Sequence, residues 1–138
     1  MTASTTYLDR IGSLLAEKGY EVTPSGGYTL KIREVTSGVA VQAVLQGDIL
    51  YLSLVCTTVA SASITPEVMR KMLASDNGIS TSYFQLYETG GGKVAVTLNN
   101  FCKLQDMGAD DEDDILSCVH FLLVDVLEAR QLIGGLLQ

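Results

Sequence analysis

The side chains best suited to nucleophilic or metal chemistry are a single histidine, His120, and three cysteines, Cys56, Cys102 and Cys118. A cysteine nucleophile needs a base beside it, and His120 is the only histidine that could act as that base. Cys118 and His120 lie about 200° apart around a predicted helix, so this pair cannot coordinate one metal ion or transfer a proton directly between them. An enzyme built on His120 would therefore need Cys56 or Cys102 from elsewhere in the chain. The favoured interpretation is a boundary histidine with three buried thiols.

The spacing of the cysteines also indicates a compartment. Three widely spaced cysteines with no Cys-x-x-Cys pair form neither a disulfide framework nor a zinc site. Residues 1–20 carry charges at intervals and lack the basic start and the unbroken apolar run of a secretory signal. We therefore expect a cytoplasmic protein in a reducing environment.

A run of acidic residues, Asp106 followed by residues 110–114, is the sharpest local feature of the sequence. A calcium loop of the EF-hand type needs oxygen ligands at alternate positions, a glycine at the sixth position and a glutamate at the twelfth. In this run adjacent carboxylates point in different directions, and no such glycine follows. Carboxylates at the start of a helix instead accept hydrogen bonds from its unpaired N–H groups and offset its positive dipole. The sequence predicts no metal site, with Asp110 as the helix cap and the other carboxylates in solvent.

Phosphate, nucleic-acid and membrane binding are poorly matched by the sequence. The glycines at residues 90–92 lie between two predicted strands rather than before a helix, and no P-loop motif occurs. Sixteen acidic residues against nine basic ones give a formal charge of -7, which lacks the cationic surface that phosphates require. Residues 49–66 are uncharged, but their many hydroxyl and β-branched side chains favour a central strand and a linker over a membrane span. We expect no cofactor, no nucleic acid and no membrane partner.

Apolar spacing predicts three helices in one domain covering residues 1–138, a length at which a single core is usual. The first helix has candidate N-caps at Thr5 and Thr6 and a C-cap at Gly19. The second begins at residues 65–66 and is closed by residues 77–78, and its apolar face consists of Val68, Met69, Met72 and Leu73. The third runs from about Asp110 to Leu132 and stops at residues 134–135.

Strand-like patterns cover residues 20–23, 28–35, 39–46, 49–59, 79–88 and 93–98. Gly47 and Asp48 offer a two-residue hairpin turn. Residues 49–59 are apolar on both faces, which predicts a central strand covered on both sides. Residues 101–107 could prolong the last strand or form a loop. The predicted class is α+β, an antiparallel β-sheet flanked by three helices in the order α-β-β-β-β-α-β-β-α, with the first strand short.

The last predicted helix is apolar on two faces. Its expected core arc consists of Ile115, Val119, Leu122, Leu123, Val126 and Ile133. Phe121, Val124 and Leu132 fall instead among polar residues on the opposite side. Leaving such side chains in water forgoes about 1.5–3 kcal/mol for each one that could be buried. We therefore expect a cover over this second face: a second subunit, another segment of the chain or a partner, in that order.

The order of elements resembles that of type III secretion chaperones of the Tir-chaperone kind and of the related YbjN-like sensory-transduction regulators. The likeness is carried by the segment 14–20 leading into the strand at 28–32, and by the second half of the chain from Met69 onward. In that half, residues 72–77, the strand 83–88, the glycine turn and an acidic lead into a long terminal helix follow the family order.

This resemblance implies a small homodimer that catalyses no reaction and holds an extended segment of another protein along its sheet and first helix. The corresponding partner-binding residues would be Tyr7, Ile11, Tyr28, Leu30 and Ile32, provided that their side chains are exposed. For the dimer interface the resemblance implies Val68, Met69, Met72 and Tyr83, whereas the two-faced last helix indicates Phe121 and Val124.

The function predicted from the sequence is therefore a non-enzymatic, homodimeric protein-binding module that acts as a chaperone, adaptor or regulator. Two alternatives stay open. One is a ligand-sensing regulator, which needs a closed cavity lined by polar side chains, and the other is a thiol- or histidine-dependent enzyme around His120.

Overall fold

The computed structural model describes the backbone of residues 3–136 and the side chains of residues 7–136. Its helices are α1 (Ala3–Glu17), α2 (Pro66–Leu73) and α3 (Ala109–Leu136), with a short 3-10 turn at Ser61–Ser63. Its strands are β1 (Glu21–Pro24), β2 (Thr29–Arg33), β3 (Ala40–Gln46), β4 (Ile49–Ala60), β5 (Tyr83–Gly90) and β6 (Lys93–Lys103). The predicted α+β class and the predicted order of elements are confirmed. None of the helices in these residues is both long and apolar enough to cross a bilayer.

All six strands form one antiparallel sheet in the order β1-β2-β3-β4-β6-β5. Helix α1 packs on β1, β2 and β3, and α3 packs on β4 and β6. Their apolar faces form one core with the sheet residues that point toward them, including Ile32, Leu52 and Leu98. Both helices therefore lie on the same face of the sheet, and within the described residues the opposite face carries no helix.

The prediction that residues 49–59 are covered on both sides is wrong. Strand β4 is central, but its side chains alternate between buried and more exposed positions along most of its length. Leu50, Leu52 and Leu54 face the helices, whereas Tyr51 and Val55 point away from them and are exposed. Aromatic and β-branched side chains suit a half-buried sheet surface, so an apolar run in a strand does not require two covering layers.

A predicted turn and a predicted helix cap are confirmed. Gly47 has a positive φ of 63°, as the predicted two-residue hairpin turn requires. Thr65 caps α2, since its side chain accepts a hydrogen bond from the backbone N–H of Val68 at 3.2 Å. Residues 101–107, for which the sequence left both strand and loop open, contain both. Strand β6 continues to Lys103, and a loop follows.

Other helix ends differ from the prediction. Helix α1 begins at Ala3, so Thr5 and Thr6 lie inside it. Leu73 ends α2 and is 74% exposed rather than packed on the apolar face. Helix α3 continues through Gly134 to Leu136. The burial of Ile133 in the core offers a reason, because packing offsets the cost of about 1 kcal/mol that glycine imposes within a helix.

Asp111, and not the predicted Asp110, is the carboxylate that organises the start of α3. It is 1% exposed, and its Oδ2 accepts hydrogen bonds from the backbone N–H groups of Gln105 at 2.6 Å and Met107 at 2.8 Å. Asp110 is exposed. The buried carboxylate therefore fixes the β6–α3 loop, in which Asp106 and Met107 both adopt a positive φ.

A second buried carboxylate, Asp125 on α3, anchors the segment that leads into β5. Its Oδ2 accepts hydrogen bonds from the hydroxyls of Thr81 at 2.6 Å and Ser82 at 2.8 Å. Residues 79–82, expected to be strand, are held there as a loop, and β5 begins at Tyr83.

Candidate binding face

The side of the sheet that faces away from α1 and α3 is the candidate functional site, and we call it the open face. The strand register aligns one row of its side chains across five strands. Lys31 lies opposite Gln42, Gln42 opposite Ser53, Ser53 opposite Asn99, and Asn99 opposite Tyr83. Because alternate residues of a strand share a face, this row identifies the other members of the open face in each strand.

A hollow of about 580 Å³ occupies the middle of the open face. Among the described residues that line it, none is charged. Its main side chains are three tyrosines and three glutamines: Tyr51, Tyr83, Tyr87, Gln42, Gln46 and Gln85. The hollow therefore offers aromatic surface together with amide donors and acceptors, without a fixed charge.

The floor of the hollow is polar and already hydrogen-bonded. Thr97 and Asn99 are only 4% and 5% exposed, although they lie on the open face. The Asn99 amide donates to the Thr97 hydroxyl at 2.9 Å, and that hydroxyl donates to the backbone carbonyl of Gln85 at 3.2 Å. These bonds tie the side chains of β6 to β5, so the floor is fixed while the surrounding tyrosines remain available for contact.

Aromatic surface extends from Tyr51 in the hollow to Phe101 beside it. The rings of Tyr51 and Phe101 are neighbours on β4 and β6, with centroids 6.2 Å apart and planes inclined by 42°. Both rings are exposed. Exposed rings that already pack on one another lose little side-chain freedom when a partner covers them.

Basic residues border the open face, although the chain as a whole is acidic. Lys31 and Arg33 lie on β2, and Lys93 and Lys103 lie at the two ends of β6. Two of these cations have acidic partners, since Arg33 pairs with Glu21 at 3.0 Å and Lys103 approaches Asp48 at 3.9 Å. The acidic run at residues 110–114 starts α3 in the helical layer, so the excess negative charge is concentrated away from this face.

The five residues predicted to bind a partner do not form an exposed groove. Ile11, Leu30 and Ile32 are at most 4% exposed, because α1 packs directly on the face of β2 that carries Leu30 and Ile32. Tyr7 is half-buried and donates a hydrogen bond to Asp106 Oδ1 at 3.3 Å. Tyr28 is exposed. Tyr28 therefore has the exposure that partner binding requires, whereas Ile11, Leu30 and Ile32 do not.

The residues predicted for a dimer interface divide into buried and exposed positions. Val68 and Met72 belong to the core of the protomer. Met69 on α2 and Tyr83 on the open face are exposed. Phe121 and Val124, predicted from the two-faced helix, are also exposed, and with Leu127 they form an apolar stripe on α3 that no described segment covers.

The groups considered for catalysis are not assembled into a site. His120 is exposed, and among the described side chains no hydrogen bond joins it to a thiol. Burial raises the pKa of the Cys56 thiol to about 11. A hydrogen bond with Cys118 and burial raise the pKa of Cys102, and the same hydrogen bond lowers the pKa of Cys118. The part of the chain that the structure describes contains no cluster of three potential metal ligands.

These thiols should differ in reactivity. In the folded protein at pH 8, we expect iodoacetamide to modify Cys118 first and Cys56 only after unfolding. The reason is that a pKa near 11 reduces the thiolate fraction of Cys56 about a hundredfold relative to an ordinary thiol, and burial blocks access. Mass spectrometry of timed samples measures the order of modification, and urea-unfolded protein is the control. Early modification of Cys56 in the folded protein would contradict this description of the core.

The same thiol predicts a decline in stability at alkaline pH. Because the folded pKa of Cys56 is raised, its contribution to stability is present below pH 9 and is lost as the pH rises toward about 11. We expect the free energy of unfolding, measured by urea titration from pH 8 to 10.5, to fall more steeply for the unmodified chain than for Cys56→Ala. Equal slopes would show that Cys56 titrates alike in both states.

Arg130 is a residue that the sequence analysis did not single out. It lies on α3, and its Nε donates a hydrogen bond to the backbone carbonyl of Cys56 at 3.4 Å. The two residues are 74 positions apart, so no local pattern could have indicated the contact. The alternation in residues 93–99 was the available signal for Thr97 and Asn99, because it places both on one face of β6.

No protein family model and no curated protein matches this chain.

Proposed function

We propose that this protein is a non-enzymatic binding module that holds a segment of a partner polypeptide on its open face, and so acts as a chaperone, adaptor or regulator. The observation that carries the proposal is the uncovered sheet face with a fixed polar floor and exposed tyrosines around it. Tyrosine is enriched where proteins bind other proteins, because its ring supplies contact area at a small cost in conformational entropy.

The dimensions of the open face fit an extended peptide. Six strands spaced at about 4.8 Å place the two outer strands about 24 Å apart. An extended chain covers about 3.3–3.6 Å per residue, so roughly seven residues would cross the sheet. The amides of Gln42, Gln46 and Gln85 can pair with the backbone of such a segment, and the tyrosine rings can pack on its side chains.

Photo-cross-linking tests this function with two matched positions. A photoreactive amino acid replaces Gln85 in the hollow or Gln131 on α3, both exposed glutamines. In the cell of origin, we expect a cross-linked polypeptide from position 85 that is absent from position 131, and we expect Tyr87→Ala to reduce its yield. Cross-links of equal yield at both positions, or none at position 85, would overturn the proposal.

A ligand-sensing regulator is the second candidate, and the volume of the hollow favours it. A volume of about 580 Å³ lies within the range of about 300–1,000 Å³ that is typical of small-molecule sites. The hollow lies on an uncovered face, however, which suits a segment of chain better than an enclosed metabolite. Native mass spectrometry of the purified protein separates the two candidates, since a sensor retains a small molecule whose release Tyr83→Ala accelerates.

A homodimer forms part of the proposed function. The stripe on α3 is the surface that we assign to it, with Val124 between Phe121 and Leu127 around the helix. A second copy packed there would remove these side chains from water and cover the second apolar face of the helix.

Substitution within the stripe should abolish the dimer without unfolding the protomer. In sedimentation experiments at about 100 μM, we expect a dimer for the unmodified chain and a monomer for Val124→Glu, because a carboxylate cannot be buried unpaired in an apolar interface. Ala16→Glu adds the same charge to an exposed position of α1 and should leave the dimer intact. If Met69→Glu dissociates the dimer and Val124→Glu does not, the interface lies on α2 and the assignment to α3 is wrong.

A further inference from the structure

Strands β3 and β4 separate part of the way along the sheet. They pair from Gln46 with Ile49 up to Gln42 with Ser53, but β4 continues to Ala60. Strand β3 meanwhile stays paired with β2 as far as Ala40. Residues 54–60 of β4 therefore have a strand neighbour on the β6 side only, and Cys56, at an irregularity between Val55 and Thr57, has none. We call their opposite side the β4 edge.

Two hollows lie along the β4 edge, and Arg130 lines both. The first, of about 470 Å³, is bounded by Ala40 and Val41 of β3, by Ser53 and Val55 of β4, and by Lys31. The second, of about 310 Å³, lies between Thr57 of β4 and the end of α3 at Ile133 and Gly134. Arg130 thus lies between two adjoining spaces, each wide enough to admit side chains.

The charge along the β4 edge is positive. Lys31 and Arg130 both line the first hollow, and no carboxylate lines either hollow. Among the described residues, the ion pairs involve Arg33 and Lys103 but neither Lys31 nor Arg130. The bond from Arg130 Nε to Cys56 orients the guanidinium and leaves its terminal amino groups for another acceptor. In a chain with seven more acidic than basic residues, two cations that line one hollow without a carboxylate favour an anionic ligand.

We propose that the β4 edge binds an extended peptide that carries a carboxylate, with the peptide backbone added as a strand beside residues 54–60 and the carboxylate held by Arg130 and Lys31. This site adjoins the hollow of the open face, because Gln42, Ser53 and Val55 line both spaces, and it rests on the proposed function only in that the occupant is a polypeptide. A strand edge offers backbone donors and acceptors at a spacing that an extended peptide reproduces. A guanidinium pairs with a carboxylate through two parallel hydrogen bonds.

The two outer edges of the sheet fit such a peptide less well. Strand β1 is only four residues long and ends at Pro24, which has no N–H to donate. Strand β5 is longer, but its one charged residue is Glu88, which would repel a carboxylate. The β4 edge is the one among these three that combines cations with backbone lacking a strand neighbour, of which the Cys56 carbonyl already accepts from Arg130.

The test uses a defined probe and a matched pair of variants. The probe is an acetylated hexapeptide of alternating valine and threonine that ends in aspartate with a free C-terminus, and its counterpart ends in asparagine amide. In NMR titrations, we expect the acidic peptide to shift the backbone amides of residues 55–59 and the Nε–H of Arg130. We expect Arg130→Gln to weaken this binding about tenfold, because one charge-assisted contact is lost. Arg70→Gln, an exposed change on α2, should leave it unchanged.

Several outcomes would overturn the assignment. Binding that is equal for Arg130→Gln and the unmodified chain, or equal for the acidic and amidated peptides, would remove the role of the cations. Inorganic phosphate that binds as tightly as the peptide would show a pocket for small anions rather than a strand site. Shifts confined to Tyr83 and Gln85 would place the peptide on the open face, which contradicts the β4 edge but leaves the proposed function standing. Arg130→Lys, which keeps the charge, should retain part of the affinity and verifies that the fold tolerates the position.

Discussion

Replacing Leu122 by alanine is expected to lower the free energy of unfolding by about 2–5 kcal/mol, whereas the same change at Leu127 should alter it by less than about 0.5 kcal/mol. Leu122 is 0% exposed and Leu127 is 63% exposed, although both are leucines on the same helix. The large effect arises because alanine removes buried apolar surface and leaves a cavity beneath α3.

Urea denaturation monitored by circular dichroism measures both changes. The experiment determines which face of α3 packs on the sheet, because the sequence is apolar on two faces of this helix. Leu127→Ala, measured at low protein concentration, is the control for Leu122→Ala. Both variants replace leucine by alanine in the same helix, so the change in helix propensity is the same. Similar losses for the two variants would show that the helix packs in a different orientation.

Replacing Asp111 by alanine is expected to lower the free energy of unfolding by about 3 kcal/mol. The substitution leaves the buried N–H of Met107 and the part-buried N–H of Gln105 without their acceptor, and a buried group without a partner costs about 1–3 kcal/mol. Asp111→Asn keeps an oxygen acceptor and should cost less than Asp111→Ala. Hydrogen exchange should accelerate at both amides in the alanine variant.

Asp113→Ala is the matched control, because Asp113 is exposed in the same turn of α3. Its loss should be at most about 1 kcal/mol, which is the usual contribution of a surface carboxylate near a helix start. If both alanine variants lose the same stability, the acidic run acts through its summed charge and the special role of Asp111 is wrong.

The order of helices and strands could be predicted from the sequence, because each element leaves a local periodic signal. The alternation of Leu30 and Ile32 with polar residues correctly indicated a strand with two unlike faces. It could not indicate whether a helix or a partner covers the apolar face, since both remove the same side chains from water. The resemblance implied Leu30 and Ile32 as partner-binding residues, whereas α1 packs on the face that carries them.

Local sequence patterns could not predict the residues whose roles depend on tertiary contacts. Six carboxylates between Asp106 and Asp114 are chemically alike, and the path of the loop before α3 determines that Asp111 turns inward. The hollow of the open face depends on the register of four strands, and the β4 edge depends on the point at which β3 departs. Residues that lie far apart in the sequence form both sites. The resemblance to secretion chaperones and YbjN-like regulators stays a prediction.

The central claim is that this protein acts by presenting the open face to another polypeptide. The most direct test is an NMR titration of the isotope-labelled protein with the segment identified by cross-linking at position 85. We predict intermolecular contacts to the rings of Tyr83 and Tyr87 and shifts at Ser53, with α1 and α3 unperturbed. Contacts confined to the helices, or turnover of a small compound that His120→Ala abolishes, would contradict the account.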